Sequence, residues 1–113
     1  MLTHKYNAKK TTVDGITFDS RKEAERYKEL KALELVGKID MLELQPRFVL
    51  MEGFRYEGKA IRKIEYVADF LYRDLSTLEL VVEDVKGVKT DVYKLKKKLF
   101  LKHYGNEYKF VEV

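Results

Sequence analysis

Two acidic positions in neighbouring strand-like segments constrain this chain more than anything else in it. Tyr66-Val67-Ala68-Asp69-Phe70-Leu71-Tyr72 and Leu80-Val81-Val82-Glu83-Asp84-Val85-Lys86 are rich in β-branched and aromatic residues, the composition of strands. Between them, Asp74-Leu75-Ser76-Thr77-Leu78-Glu79 reads as a turn. A hairpin symmetric about Ser76-Thr77 sets Asp69 opposite Asp84, with Cβ atoms about 5 Å apart. Carboxylates that close repel, and a sheet tolerates the pair when a cation lies between them. Lys86, two residues beyond Asp84, projects from the same face. A slip of one residue would bring Glu83 forward instead, but only Asp84 shares a face with Lys86. Two readings stay open: a site for a hard divalent cation, or a surface hairpin whose acids Lys86 neutralises.

The chain has 113 residues, enough for one domain with a real core. It has no cysteine, which excludes disulfides and thiolate metal sites and makes the cytosol the default compartment. No apolar stretch approaches the roughly 20 residues of a membrane span. Met1-Leu2-Thr3-His4-Lys5 lacks the apolar run of a signal peptide. The net charge of +4 permits a polyanionic partner without demanding one. His4 and His103 are too far apart to share a ligand spacing, so zinc is not expected. With no glycine-rich phosphate loop and no serine nucleophile motif, no nucleotide cofactor is expected either.

The pattern predicts one domain, with a basic arm and small hairpin over residues 1–18 and a core over 19–113. Asp14-Gly15 favours a type I′ turn between short strands. Ser20-Arg21-Lys22-Glu23 matches a capping box that opens a helix, whose buried stripe is Ala24, Tyr27, Leu30 and Leu33 and whose stop is Gly37. Ile39 to Leu50 reads as a strand interrupted at Gln45-Pro46, at a sheet edge or bulge. Residues 51–60 read as a loop or wide hairpin tip. Thr90 caps a second helix with Val92, Leu95 and Leu99 as its apolar stripe, widened by Tyr93 and Phe100. Tyr108 to Val113 is a last strand, reached by a crossover that favours parallel pairing. The predicted core order is helix, three strands in a meander, helix, strand.

Asp69, Asp84 and the carbonyl of Val85 supply the oxygen ligands Mg²⁺ prefers, with Mn²⁺ as its usual substitute. Lys86 would orient the attacking water, help deprotonate it, or stabilise charge on a phosphate. Glu23 is a possible third acid, or simply the cap that closes its own box. Lys89, Lys94, Lys97 and Lys98 follow the site and join Lys9 and Lys10 of the arm as candidate DNA-backbone contacts. Lys5, Lys96 and Lys102 add to the same charge. A solvated helix face is the bland alternative.

This order, with Glu23 in the first helix, Asp69, and Asp84-Val85-Lys86, resembles the PD-(D/E)XK nuclease superfamily. Phe18-Asp19-Ser20-Arg21-Lys22-Glu23-Ala24-Glu25-Arg26-Tyr27 is similar to its first-helix motif, and Gln45-Pro46 to a feature of its transposase- and resolvase-type members. Ala68 stands where the superfamily's motif proline would be. Nearly the whole chain resembles a group of small phage and prophage proteins, through Lys5-Tyr6-Asn7-Ala8-Lys9, Val82 to Gly87 and Thr90-Asp91-Val92-Tyr93-Lys94. The resemblance implies an α/β, restriction-endonuclease-like core with a mixed sheet. It also implies Glu23 at the metal site, and a Mg²⁺-dependent DNA endonuclease acting in the bacterial cytoplasm. A homodimeric resolvase of branched DNA, such as a Holliday junction, would fit such a chain. The rival expectation is a non-catalytic DNA-binding or replication accessory protein of the same fold. RNA binding ranks last, because it needs exposed stacking aromatics and the Tyr and Phe residues fall mostly at core-like spacings.

Overall fold

The computed structural model describes residues 9–113, so Lys5, His4 and the start of the arm lie outside the described residues. Two short strands come first, β1 (Thr11–Val13) and β2 (Ile16–Phe18). Val13 pairs with Ile16, and Asp14 and Gly15 between them have φ of 53° and 74°, the two positive values a type I′ turn requires. The first helix, α1 (Arg21–Leu35), starts at Ser20, whose Oγ accepts the Glu23 N–H at 3.1 Å. Ala24, Tyr27 and Leu30 are buried and Leu33 packs against them, as their spacing predicts.

From Ile39 to Asp74 the chain makes one long, bent hairpin. Its ascending side is β3 (Ile39–Leu44), β4 (Arg47–Met51) and β5 (Phe54–Tyr56). Its descending side is β6 (Lys59–Ile61), β7 (Ile64–Val67) and β8 (Phe70–Asp74). Leu44 pairs with Phe70 and Arg47 with Val67, so the register carries across the bend without loss. Pro46 marks the bend: its carbonyl accepts the Ala68 N–H at 3.1 Å, while the Gln45 N–H binds the Asp69 carbonyl at 3.0 Å. The segment Tyr66–Tyr72 is therefore not one strand but two, broken at Ala68-Asp69. Of the two expectations for this stretch, loop or wide hairpin tip, the second holds: residues 54–61 form a two-stranded ribbon.

The turn after β8 returns the chain as β9 (Leu80–Asp84), then α2 (Asp91–Tyr104) and β10 (Tyr108–Glu112). The central sheet has the order β10-β9-β8-β3, with β9 parallel to β10 and the other neighbours antiparallel. Neighbouring residues of a strand face opposite ways. Val81 accordingly joins the core under α1, with Phe18, Phe70 and Tyr72, and Val82 the core under α2, with Phe48, Tyr66 and Phe100. The protein is thus mixed α/β, with a helix on each face of a mixed sheet. No described helix is long and apolar enough to cross a membrane.

The buried stripe of α2 differs from the expected one. Tyr93 and Phe100 are buried and Tyr104 packs beside them, while Val92 and Leu95 are 62% and 58% exposed. Each aromatic ring buries roughly 150–250 Å², more than Val or Leu offers, so the helix turns its rings inward. Phe100 packs within 4.9 Å of Phe48 and 5.3 Å of Tyr66, ring centre to ring centre. The expected consequence is a sharp contrast in stability. Phe100→Ala should cost about 3–5 kcal/mol, whereas Val92→Ala and Leu95→Ala should each stay within about 0.5 kcal/mol. Urea unfolding measures all three, and a large loss at Val92 or Leu95 would contradict this packing.

Candidate active site

The end of β9 carries two acids in succession, and each is buried on its own face. Glu83 points toward α1. Its Oε1 accepts Arg26 Nε at 2.8 Å and its Oε2 accepts Arg26 Nη2 at 2.6 Å, with the Tyr72 hydroxyl donating to Oε2 as well. Asp84 points toward α2 and is 1% exposed. The Tyr66 hydroxyl donates to its Oδ2. Its Oδ1 has no hydrogen-bond partner. Lys86 Nζ stands 3.2 Å from that oxygen, a charge contact without hydrogen-bond geometry. The same ammonium lies 4.6 Å over the Tyr93 ring, which favours a cation electrostatically.

The β8–β9 register places Asp69 as its spacing predicts. Phe70 pairs with Glu83, and one step further out the Asp69 N–H donates to the Glu83 carbonyl at 3.0 Å. At the bend, Asp69 turns toward the end of β9, where its Oδ2 accepts the Val85 N–H at 2.6 Å. Burial pushes the Asp69 carboxyl up to about 8, and the nearby charges of Asp84 and Glu23 push the same way; the Val85 N–H opposes them.

Glu23 enters from the start of α1. Its backbone N–H makes the cap to Ser20, but no bond from its carboxylate returns to the Ser20 N–H among the described residues. The side chain is buried instead. Its pKa is raised by burial first, then by Asp19 and Asp84, with Lys86 lowering it. The acid therefore senses Asp19 and Asp84 rather than closing its own box.

Glu23, Asp69, Val85 and Lys86 line one cleft of about 640 Å³. Ser20 and Thr90, the caps of both helices, line it too, so two positive helix ends face the same space. Lys9, Arg21 and Lys22 add positive charge, and Lys22 Nζ donates to the Lys86 carbonyl at 3.3 Å. The other lysines divide. Lys10 pairs with Asp19 at 3.2 Å. Lys89 and Lys97 both reach Glu112, at 3.2 and 3.3 Å, so part of the charge expected for phosphate is already engaged. Tyr93 and these two lysines hold the Glu112 carboxyl down to about 2, with the Tyr93 hydrogen bond the leading cause. Lys94 and Lys98 line a shallow groove beside them.

Sequence reasoning missed Tyr66, Tyr93 and Arg26 as supports of this site. Each sits at a core-like or helical spacing. The signal available was chemical: a buried Tyr hydroxyl needs a partner, and a buried acid supplies one.

A divalent cation would need oxygen ligands at this point. Asp84 Oδ1 is a buried acceptor with no hydrogen-bond donor, and Asp69 is a buried carboxyl whose charge the Val85 N–H compensates only in part. Both suit a hard cation. Among the described residues, no three His, Cys, Asp or Glu side chains form a metal-holding group, so Glu23, Asp69 and Asp84 are not assembled as one set.

The raised Asp69 pKa has a sign that can be checked. The native state favours its protonated form, while the unfolded chain ionises near the ordinary 3.8. Metal-free stability should therefore fall as pH climbs from about 4 through about 8. Asp69→Asn should flatten that slope and be at least as stable as wild type at pH 8. Urea unfolding in EDTA at pH 5 and pH 8 measures both chains, and equal slopes would refute the effect.

No curated protein and no solved structure matches the chain. Residues 3–112 match DUF1064, a family of proteins of unknown function, and the chain belongs to that family.

Proposed function

We propose that this protein is a Mg²⁺-dependent DNA endonuclease with a restriction-endonuclease-like core. The observation that carries the reading is the convergence of Glu23, Asp69 and Lys86 in one cleft between two helix N-termini, with the buried Asp84 3.2 Å from the Lys86 ammonium. The order helix, strand, strand, strand, helix, strand around the sheet supports the fold assignment. Asp69, Asp84 and the Val85 carbonyl would hold the cation, and Mn²⁺ would substitute. When bound, the cation supplies Lewis-acid stabilisation of negative charge. Lys86, on its Tyr93 platform, stabilises charge on the attacked phosphate. Glu23, which lines the same cleft, would accept a proton from the attacking water. Lys9, Arg21 and Lys22 hold the flanking phosphates by charge. Hydrolysis adds water across one P–O bond and leaves a hydroxyl and a phosphate monoester at the cut.

Branched DNA, including a Holliday junction, is the proposed structure-specific substrate, read through backbone and shape rather than base edges. A homodimer would present two sites for paired cuts, and the exposed Val92 and Leu95 give α2 an apolar edge for it. A bacterial cytoplasmic setting, with a phage origin, follows from the resemblance alone. One observation favours the rival, a non-catalytic DNA-binding protein: Lys86 and Tyr66 already contact Asp84, and no trio of acids is assembled among the described residues.

Supercoiled plasmid and a synthetic four-way junction, with and without Mg²⁺, separate these readings. Asp69→Asn and Asp84→Asn should each abolish cleavage and leave the fold intact. Wild-type cutting by either variant would remove the site.

Lys86→Ala should lose at least about a hundredfold in cleavage. It should keep or improve Mn²⁺ binding in calorimetric titration, because a cation competing for Asp84 is gone. Weaker metal binding with normal cleavage would invert these roles.

Glu23→Gln keeps the helix start, since Ser20 caps the backbone N–H and not the carboxylate. Near-normal melting with strongly reduced cleavage is expected. Normal cleavage would make Glu23 structural.

A further inference from the structure

The ribbon formed by β5 and β6 is exposed at every residue and carries two aromatic rings that the core does not use. Phe54 is 50% and Tyr56 63% exposed. Phe54 pairs with Ile61 and Tyr56 with Lys59, so these four side chains share one face of the ribbon. Between Glu52 and Lys63 stand Arg55, Lys59, Arg62 and Lys63 against only two acids. Arg55 bonds the Gly58 carbonyl at 2.5 Å, which stiffens the tip.

We infer that this ribbon is a DNA-engaging arm that stacks Phe54 and Tyr56 on unstacked bases, as found at forks and branch points. The inference rests on the nuclease reading above and names the substrate class for it. Exposed rings beside cations suit bases whose faces are free and whose phosphates are near. An intact duplex hides those faces, so it would meet only the cations. A second copy of this chain would bring the same basic ribbon and net charge of +4, which opposes self-association through this face.

The ribbon is also tied to the cleft. Its strands continue into β4 and β7, and β7 ends at the bend that holds Asp69. Lys59 to Asp69 spans at most roughly 33 Å at the rise of an extended strand. That is about one turn of duplex DNA. The arm would therefore hold a branch point within about ten base pairs of the bond to be cut.

The test compares Phe54→Ala/Tyr56→Ala with wild type on a forked DNA bearing two single-stranded arms and on a duplex of the same sequence. Gel shifts in Ca²⁺ measure binding, and Mg²⁺ assays measure cleavage. Both residues are exposed, so the variant should melt like wild type. Fork binding should weaken roughly tenfold or more, within the range of one to two lost base stacks. Duplex binding should change by less than about twofold. Unchanged fork affinity, or equal loss on fork and duplex, overturns the inference. A change in mass by light scattering also overturns it, because the face would then belong to a second copy. The two ideas fail separately: a wild type that cuts DNA with an indifferent variant removes the arm and keeps the nuclease. A fork-specific loss in a protein that never cuts keeps the arm and removes the nuclease.

Discussion

Two successive acids on one buried strand must each find a partner, and the partners lie on opposite sides of the sheet. Glu83 takes Arg26 and Tyr72 on the α1 side; Asp84 takes Tyr66 and Lys86 on the α2 side. A buried ion pair adds little net stability, yet removing one partner costs about 3–5 kcal/mol because a bare charge remains. The Arg26 clamp therefore does more to locate than to stabilise. It pins α1 against β9 one turn after Glu23, which puts that acid within electrostatic reach of Asp84.

The same end of the sheet gathers more negative charge than it can comfortably hold. Burial raises the proton affinity of Asp69 and Glu23 most, and the charge of Asp84 adds to it at both. The molecule answers with Lys86, the Val85 N–H and two helix N-termini. Lys86 contacts Asp84 and also lines the cleft, so the residue that balances the buried acid also presents its charge to that open space.

The bend at Pro46 joins this chemistry to the exposed ribbon. Proline has no N–H to give to the ladder, and here its carbonyl and the Gln45 N–H hold the two sides of the hairpin together across the kink. One side of that kink releases Asp69 toward β9. The other continues outward to Phe54 and Tyr56. The expectation that the aromatics are core residues holds for Phe48, Tyr66, Phe70, Tyr93 and Phe100 but not for these two.

Local pattern determined much of this protein. The Ser20 cap, the Asp14-Gly15 turn, the meander into a parallel last strand and the Asp69–Asp84 register all follow from nearest-neighbour rules, namely capping geometry, turn chemistry and the two-residue period of a strand. That period also kept Glu83 off the face of Lys86. What the pattern left undecided depends on which surfaces compete for burial. Val92 and Leu95 satisfy helical spacing as well as Tyr93 and Phe100 do, and only the packing of α2 on β4 and β7 selects the rings. Glu23 reads equally as a cap or a site acid until the sheet brings Asp84 near it. The exposure of Phe54 and Tyr56 was likewise hidden, because whether a strand is covered depends on what packs against it, and nothing within the strand records that.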